Sequence, residues 1–431
     1  MKSVEQTLRE RSWAEHERLL ALTFMHGSRR RLASALSRIP HDRISFRCET
    51  IDSFCLRVVQ RFRRNLQLDL PVLPSQTNQW TRTQYAWKAT FDSIRRSAAE
   101  LIRSPIVGKQ LRKVYPIVVV DEFQDCSGTL LEVIDALACH SELLIAADEF
   151  QLLELGNQSC EAMEWLEKQR QSGNAQVTTL TAPRRTNNPR ILNTALALRE
   201  GKPLASDGIP VIGVDDKYGG RTAYEIAKRI AWDEWNSGSI ALITPASPSS
   251  SEFIAGILRS LKKPLGKKVS LGPYPFVWES NSSEVLDEIW QAIPSELMQQ
   301  GIVNIDDLVI ETSHHLVVQR AFASAKRLAK LRGALTMDID ELRDIVVRHA
   351  RTYFVYGGRS SSRRAAMTVH SAKNREFDYV AVVWPYEVKG DHVYQRKLLY
   401  NAVTRAKKEA VVFVRGKSRL VKDPVLKLIS T

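Results

Sequence analysis

The stretch Val118-Val119-Val120-Asp121-Glu122-Phe123-Gln124-Asp125 decides the predicted fold. Its valines extend the apolar run Pro116–Val120, which is typical of a strand buried on both faces of a parallel sheet. The run places two adjacent carboxylates, Asp121 and Glu122, at the carboxyl end of this strand. The first can hold Mg²⁺, directly or through water, and the second can orient or deprotonate an attacking water. A solvated acidic turn is the alternative interpretation, but the complete string favours a functional site.

A second apolar strand, Leu143–Ala147, ends in a similar way one predicted helix downstream. It continues as Asp148-Glu149-Phe150-Gln151. A glutamine at this point can hydrogen-bond both a γ-phosphate and the attacking water, so Gln151 is a candidate sensor of the nucleotide state. In isolation Gln151 would be an ordinary loop glutamine, and the spacing after the first acidic strand gives it this interpretation.

Short apolar runs alternate with helical patterns along the chain, which predicts an α/β protein with two mainly parallel sheets. The predicted strands are Leu19–Phe24, Pro116–Val120, Leu143–Ala147, Ile240–Thr244, Met367–Val369, Tyr379–Trp384 and Ala410–Val414. The predicted helices include Thr129–Ala138, Pro189–Arg199, His315–Leu331 and Lys397–Lys408.

With 431 residues and 48.8 kDa, the chain is long enough for two to four domains. Residues 65–113 are expected to be mostly helical and polar, and residues 280–356 to form several helices without clear strands. Both segments are interpreted as insertions that cap an α/β core. Stretches rich in Pro, Gly and Ser around Pro203–Gly219 and Thr244–Pro275 are candidate loops.

The positive charge is concentrated near the two ends of the sequence. The net charge is +14 and the pI is near 9.6, a balance that favours nucleic acid or an anionic membrane surface as partner. Residues 1–64 contain 14 Lys/Arg and 7 Asp/Glu, and residues 359–419 contain 14 and 5, which leaves −2 for the rest. These two segments are therefore expected to contribute to one basic surface.

Other classes of protein are excluded by simple patterns. No apolar run reaches the length of a membrane span, and the first twenty residues are too charged for a signal peptide, so we expect a soluble intracellular protein. Five cysteines without a close Cys-x-x-Cys pair suggest neither a disulfide framework nor a zinc site, and buried or idle thiols are expected.

Several further segments carry a family resemblance, in chain order: Leu20–Phe24 with Arg29–Leu32, Thr50–Phe54, Leu180–Asn187, Thr368–Asp378 and Leu398–Lys408. Together with the two acidic strings, they resemble the UvrD/Rep-type helicases of superfamily 1. The segment TVHSAKNREFD is close to the family's Thr-x-His-Ser-Ala-Lys-Gly-Leu-Glu-Phe signature, and LLYNAVTRAKK to its final motif. The resemblance spans almost the whole chain.

The resemblance implies two RecA-like P-loop NTPase-type domains with parallel sheets, each with a short helical insertion. They are predicted at 1–185, with its insertion at about 65–113, and at 186–431, with its insertion at about 280–356. ATP and Mg²⁺ are the implied cofactors. Asp121, Glu122, Gln151, Arg185 and Arg405 are the implied catalytic residues. Lys2, Ser3 and Glu376 are the implied ATP ligands, and Asp121 and Ser3 the implied Mg²⁺ ligands.

The resemblance also implies roles for several side chains. Arg185 and Arg405 resemble arginines that stabilise the γ-phosphate, as a permanently charged guanidinium can. Glu376 would contact the ribose, with a surface ion pair to a nearby arginine as the alternative. The residues expected to face DNA are Thr23, Phe24, Arg29, Arg30, His370 and Ser371. A core position for Phe24 and a structural role for His370 remain open.

The sequence also departs from the family. It contains no Gly-x-x-x-x-Gly-Lys-Ser/Thr loop, whose amides bind phosphates, although Lys2-Ser3 resembles the tail of a truncated one. An ordinary Met-Lys start, a misassigned start codon and a real loss of ATPase activity all remain open. Asp52 stands where the family has a phosphate-contacting His, and Asn374 replaces a Gly, which Asn tolerates at positive φ.

The leading functional prediction is an ATP-dependent single-stranded DNA translocase or helicase with 3′-to-5′ polarity, acting in repair, recombination or defence. The alternative is an ATPase-deficient DNA-binding or interaction module derived from such a helicase, and an RNA helicase is a third reading. Single-stranded or partly duplex DNA is the predicted partner, together with a nuclease or repair protein and no membrane. The predicted location is the cytoplasm, in association with the nucleoid.

Overall fold

A computed structural model describes most of the chain, and all structural statements below refer to these residues. They are 11–24, 26–38, 45–75, 79–84, 86–153, 160–180, 185–232, 235–266, 268–279, 289–290, 293, 296, 301–309, 316–352 and 363–430. The chain divides into two compact units, Met1–Thr181 and Ala182–Thr431. No helix in these ranges has the length and apolarity needed to cross a membrane.

The first unit is built around a four-stranded sheet in which all neighbouring strands are parallel. Its spatial order is β2–β1–β6–β7. The strands of the unit are β1 (Arg18–Thr23), β2 (Ser45–Thr50), β3 (Val72–Pro74), β4 (Thr81–Arg82), β5 (Trp87–Ala89), β6 (Ile117–Val120) and β7 (Glu142–Ile145). The helices are α1 (His26–Leu36), α2 (Ile51–Phe62), α3 (Phe91–Arg103), α4 (Pro105–Val114), α5 (Thr129–Ala138) and α6 (Glu161–Gln171).

The central strands β1 and β6 are buried on both faces, as their continuous apolar sequences predict. All four residues of β6 are buried, and so are the last five of β1. Helices α2, α3 and α5 cover one face with a large apolar core. Two threonines fix the helix starts: Thr50 caps α2 and Thr90 caps α3, each by accepting the backbone N–H three residues later.

The segment predicted as a helical insertion at 65–113 contains two helices and also a small sheet. Helices α3 and α4 occupy its second half. Strands β3, β5 and β4 form a three-stranded sheet in its first half, with β5 in the middle. Strands of two or three residues have too few positions for an alternating pattern to show in the sequence, which is why this sheet was not predicted.

The second unit contains a six-stranded sheet in which every neighbouring pair is parallel, in the order β10–β13–β9–β14–β15–β8. Its strands are β8 (Val211–Val214), β9 (Ile240–Thr244), β10 (Val277–Trp278), β13 (Arg364–Thr368), β14 (Phe377–Trp384) and β15 (Ala406–Arg415). The helices of the unit are α7 (Pro189–Glu200), α8 (Gly220–Trp232), α9 (Glu252–Leu261), α10 (Leu316–Leu331), α11 (Ile339–Thr352), α12 (Val369–Ala372), α13 (His392–Val403), α14 (Arg419–Lys422) and α15 (Pro424–Lys427).

One predicted helix of this unit ends earlier than its sequence pattern indicates. The helix expected at Lys397–Lys408 is α13, which ends at Val403, and β15 begins at Ala406. Ala406 pairs with Phe377 of β14, so sheet pairing takes over where the helical pattern continues. The predicted insertion at 280–356 contains α10 and α11 around their own apolar core, joined by an antiparallel pair of short strands, β11 (Ile302–Asn304) and β12 (Thr336–Asp338).

The predicted fold class is confirmed. Both large sheets are parallel, helices connect their strands, and the arrangement is compatible with RecA-like domains. Because all strands of a parallel sheet end at the same edge, the residues that follow β1, β2, β6 and β7 meet at one edge of the first sheet. Those that follow β13, β9, β14, β15 and β8 meet at one edge of the second.

Candidate functional site

The acidic pair lies where β6 ends. The backbone N–H of Asp121 donates to the carbonyl of Leu22 in β1 at 3.1 Å, which continues the parallel pairing one residue beyond the strand. Glu122 then adopts φ +58°, ψ +42°, a left-handed conformation that is uncommon for residues other than glycine. Both carboxylates are partly exposed. The tight turn thus presents two acids side by side at the carboxyl edge of the sheet.

Gln124 joins this acidic turn to the second one. Its side chain is 2% exposed. Its Nε2 donates to Oε2 of Glu122 at 2.6 Å, and its Oε1 accepts the backbone N–H of Asp148 at 2.9 Å. Asp148 Oδ2 in turn accepts a hydrogen bond of 2.9 Å from Nε2 of Gln151. The structure therefore brings Glu122 and Gln151 into one hydrogen-bonded network, with Gln124 and Asp148 as the links that the sequence analysis did not assign.

The donor set at this edge suits Mg²⁺ bound together with a nucleotide. In proteins Mg²⁺ commonly takes one or two carboxylates and completes its shell with phosphate oxygens and water. Asp121 and Glu122 supply two carboxylates, and within the described ranges no three His, Cys, Asp or Glu side chains form a metal site of their own. Lys2 and Ser3, predicted to bind ATP and Mg²⁺, lie outside the described residues.

The residues predicted to face DNA in the first unit have different environments. Thr23 is fully buried at the end of β1, whereas Phe24, the next residue, is 37% exposed, which argues against a core position for Phe24. Arg29 lies in α1 and is partly exposed. The side chain of Arg30 lies outside the described part of the structure. Among the side chains of this group that the structure describes, those of Phe24 and Arg29 reach the surface.

Asp52, the residue that departs from the family, forms an ion pair with Arg95 of α3. The distance from Arg95 Nε to Asp52 Oδ1 is 2.7 Å, and Arg95 Nη1 also contacts Asp92 at 2.9 Å. Thr129, at the start of α5, donates to the same Asp92 oxygen at 3.0 Å. The carboxylate of Asp52 is thus neutralised by a cation from the neighbouring helix. Sequence spacing gave no signal for this pairing across 43 residues.

Three of the five thiols have the character expected of unreactive cysteines. Within the described residues all five cysteines are free. Burial raises the pKa of Cys48 to about 11 and that of Cys126 to about 12, and it raises the pKa of Cys55 further still. Because the thiolate is the reactive species, these three side chains are inert at neutral pH.

In the second unit, the segment that begins at Arg185 is attached to the turn between α13 and β15. Arg185 Nη1 donates to the carbonyl of Thr404 at 2.9 Å, and Thr186 Oγ1 donates to the carbonyl of Lys407 at 2.6 Å. Asn188 Nδ2 adds a hydrogen bond to the carbonyl of Lys408, and the Asn188 side chain also caps α7. These contacts fix the position of Arg185, which remains partly exposed.

Glu376 pairs with two cations. Its Oε1 lies 3.1 Å from Arg185 Nε and its Oε2 lies 3.3 Å from Lys407 Nζ. Burial alone would raise the pKa of Glu376, but the charges and hydrogen bonds of Arg185 and Lys407 outweigh it and hold the pKa below its usual value. The structure therefore contains the ion pair that the sequence analysis gave as the alternative to a ribose contact. The ribose contact itself stays a prediction.

Arg405 is buried, with only 1% of its surface exposed. Its Nε donates to the carbonyl of Asn401 at 2.9 Å, and its Nη2 contacts Thr404 Oγ1 at 3.3 Å. Its own carbonyl accepts the backbone N–H of Phe377 at 2.9 Å. These contacts give Arg405 a role in joining α13 to the start of β14. The γ-phosphate role implied by the resemblance stays a prediction.

The signature segment of the second unit begins at the end of β13. Thr368 caps α12 through the N–H of Ser371, His370 is exposed, and its Nε2 lies 3.3 Å from the hydroxyl of Tyr394. Asn374 has φ +62°, which confirms the expectation that asparagine replaces glycine here because it tolerates positive φ.

The next residue, Arg375, anchors this turn to the outer part of the sheet. It forms a two-pronged ion pair with Glu279, in which Nη2 lies 3.1 Å from Oε1, and both side chains are largely buried. Glu279 follows β10 directly, and its backbone N–H donates to the carbonyl of Ala366 at 2.7 Å. The partner of Arg375 lies 96 residues away in sequence, so the pattern of the motif alone could not identify it.

Comparison with known families agrees with this geometry. Residues 365–413 match the family model described as the UvrD-like helicase C-terminal domain. The matched segment runs from β13 through α12, β14 and α13 into β15, and it includes His370, Glu376 and Arg405. No curated protein matches the chain.

The match confirms that residues 365–413 of the second unit resemble UvrD/Rep-type helicases. This match supports a helicase-type function and DNA binding in general.

Proposed function

We propose that the protein is an ATP- and Mg²⁺-dependent motor of the UvrD type that moves 3′ to 5′ along single-stranded DNA in repair, recombination or defence. The observation that carries the proposal is the hydrogen-bonded network of Glu122, Gln124, Asp148 and Gln151 beside Asp121. A nucleotide-hydrolysing site needs an acid for the metal, an acid for the water and a sensor, held in fixed relative positions. The first unit supplies all three from adjacent strand ends.

Each side chain has a definite task in this proposal. Asp121 would hold Mg²⁺, which supplies charge neutralisation at the phosphates. Glu122, restrained by Gln124, would orient the attacking water and accept its proton. Gln151 would hydrogen-bond the same water. Arg185, always charged and partly exposed, would stabilise negative charge as it develops, and Arg405 shares that expectation from the resemblance.

Nucleic-acid binding rests on both units separately. Phe24 offers an exposed aromatic face at the edge of the first sheet, with Arg29 in the following helix. His370 and Ser371 lie at the corresponding edge of the second sheet. Flat aromatic faces suit bases, and cations with hydroxyl donors suit phosphates, so this combination favours a single strand.

A second candidate function is DNA binding without ATP hydrolysis. The 431-residue sequence contains no Gly-x-x-x-x-Gly-Lys-Ser/Thr segment, and such a loop normally supplies the backbone N–H groups that hold the phosphates. We expect the 431-residue chain to hydrolyse ATP poorly for this reason, while its DNA affinity is retained.

The test combines nucleotide binding and turnover with DNA binding. ATP hydrolysis by the purified chain is measured with and without single-stranded DNA, for the unchanged protein, for Glu122→Gln and for the control Glu164→Gln, whose side chain is exposed on α6. Slow turnover that Glu122→Gln alone abolishes supports the motor. Tight DNA binding with no ATP binding by calorimetry selects the second candidate. Absence of DNA binding contradicts both.

A further inference from the structure

Tyr386 is an exposed aromatic residue at the carboxyl edge of the second sheet. It lies two residues beyond the end of β14, and its side chain is 59% exposed. Neither the motifs nor the proposed function gives it a role. A tyrosine ring left in water at a strand end, among residues of a predicted nucleic-acid surface, is a candidate for stacking against a flat ligand.

The ring is held in place from behind. The guanidinium of Arg419 lies 5.4 Å from the ring centroid of Tyr386. Arg419 is itself fixed, because Nη1 donates to the carbonyl of Pro385 and Nη2 lies 2.6 Å from Asp423 Oδ2. Asp423 also accepts the backbone N–H groups of Val425 and Leu426 at the start of α15. One face of the ring is therefore backed by a cation, and most of its surface remains open to solvent.

The chain segment that contains Arg419 is basic, whereas the residue that follows Tyr386 is the exposed acid Glu387. The segment Arg415–Lys422 contains four Lys/Arg residues and no Asp or Glu. Arg415 is engaged with the carbonyls of Asp216 and Lys217. Lys417 and Lys422 are exposed and form no ion pair within the described part of the chain. Lys417 and Lys422, two and three residues from Arg419 in the sequence, are thus cations available for phosphates.

The sheet order sets the distance from Tyr386 to the signature segment. His370 lies two residues beyond β13, as Tyr386 does beyond β14, and β9 is the one strand between them. Neighbouring strands are about 4.8 Å apart, so the two positions are separated by roughly 10 Å along the edge. Three nucleotides stacked at about 3.4 Å cover that length.

We propose that Tyr386 stacks on an unpaired base of single-stranded DNA, with Lys417 and Lys422 contacting the neighbouring phosphates. The inference rests on the proposed function, because it extends the DNA surface from His370 across the sheet edge. The Arg419 guanidinium is attracted to the face of the ring and so holds the ring in position for stacking.

The test measures binding of two fluorescent oligomers of about 16 nucleotides, oligo-dT and an abasic backbone of equal length. Tyr386→Ala should weaken binding of oligo-dT about 5- to 30-fold and leave the abasic oligomer unchanged, because only bases stack. Tyr386→Phe keeps the ring and should restore binding. Trp232→Ala, which removes an equally exposed aromatic at the end of α8, is the matched control.

Substitution of the two lysines should change DNA binding in a different way from substitution of Tyr386. Lys417→Ala with Lys422→Ala should weaken both oligomers and reduce the slope of log affinity against log salt by about 1.4, the value for two phosphate contacts to a single strand. Thermal unfolding of each variant verifies that the fold is intact.

The outcomes separate this inference from the proposed function. Binding of oligo-dT that Phe24→Ala or His370→Ala weakens, but Tyr386→Ala does not, overturns the role of Tyr386 alone. Equal weakening of the two oligomers by Tyr386→Ala also overturns it, because the effect is then structural. Weaker ATP binding by Tyr386→Ala, with binding of oligo-dT unchanged, would overturn it and assign the ring to a nucleotide base instead. Absence of any DNA binding by the unchanged chain overturns both proposals.

Discussion

Arg185 and Glu376 lie 191 residues apart in the sequence and form an ion pair with an Nε–Oε1 distance of 3.1 Å. The pair joins the start of the second unit to the segment Thr368–Asp378 of the same unit. The pair also holds Arg185, the cation that is proposed to act on phosphate. The contribution of the pair to stability can be measured in the absence of nucleotide.

Acid should weaken this pair. The pKa of Glu376 is lowered below its ordinary 4.5 in the folded state. A depressed folded pKa contributes stability that is present above 4.5 and lost as the pH falls through the folded value. Glu376→Gln should therefore lower the free energy of unfolding at pH 7, and it should lower it less at pH 3 than at pH 7. Urea unfolding at both values measures this. Glu387→Gln, at an exposed site, is the control, and equal losses at both pH values would contradict the prediction.

Replacement of Gln124 by Ala should destabilise the first unit. The substitution removes both hydrogen bonds of a buried amide and leaves the N–H of Asp148 without that acceptor, a loss of about 1–3 kcal/mol. Denaturant unfolding measures the change. Gln171→Ala, which removes an exposed hydrogen bond to Glu167, should cost less than about 0.5 kcal/mol. Similar losses of unfolding free energy for the two variants would show that the hydrogen-bonded network does not stabilise the first unit.

The pair formed by Arg375 and Glu279 should show strong coupling in a double-mutant cycle. Removal of either partner leaves a charge in a largely buried place, which costs about 3–5 kcal/mol. The double variant Arg375→Leu/Glu279→Leu should recover much of that loss, because no buried charge remains. Unfolding free energies of the four proteins give the coupling. If the loss in the double variant equals the sum of the losses in the two single variants, the predicted coupling is wrong.

Substitutions at Asp52 and Arg95 should change DNA affinity in opposite directions. Asp52→Asn removes a carboxylate from the predicted DNA edge and should raise affinity about 2- to 5-fold at low salt. Arg95→Ala leaves the carboxylates of Asp52 and Asp92 uncompensated and should lower affinity by a similar factor. Anisotropy titrations with oligo-dT measure both, with Asp307→Asn, exposed in the second unit, as control. A change of the same sign in both variants would show that this edge does not face DNA.

The sequence was sufficient to predict the elements whose residues carry strong local patterns. Strands such as β6 and β9 are continuous apolar runs, and both occur where they were predicted. Strand β2, with the sequence SFRCET, was missed because it is largely polar and part of it is exposed. Strand β10 was missed because it has two residues.

The candidate site was predictable only as far as residue types and spacing allow. Asp121, Glu122 and Gln151 follow strands, so their common location at one sheet edge followed from topology. The hydrogen bonds of Gln124, the pairing of Asp52 with Arg95 and the burial of Arg405 depend on tertiary packing between distant segments. No local pattern encodes those contacts, which is why they required the structure.

The order of the second sheet also has a consequence for synthesis of the chain. Strand β9 pairs with β13 on one side and β14 on the other, and the first of these begins about 120 residues after β9 ends. At about 5–20 residues per second, the ribosome needs roughly 6–24 s to deliver that partner. The five residues of β9, all buried in the finished sheet, remain without their neighbours for that interval. Between emergence of residue 244 and emergence of residue 364, this exposed apolar strand is therefore a segment to which a chaperone can bind.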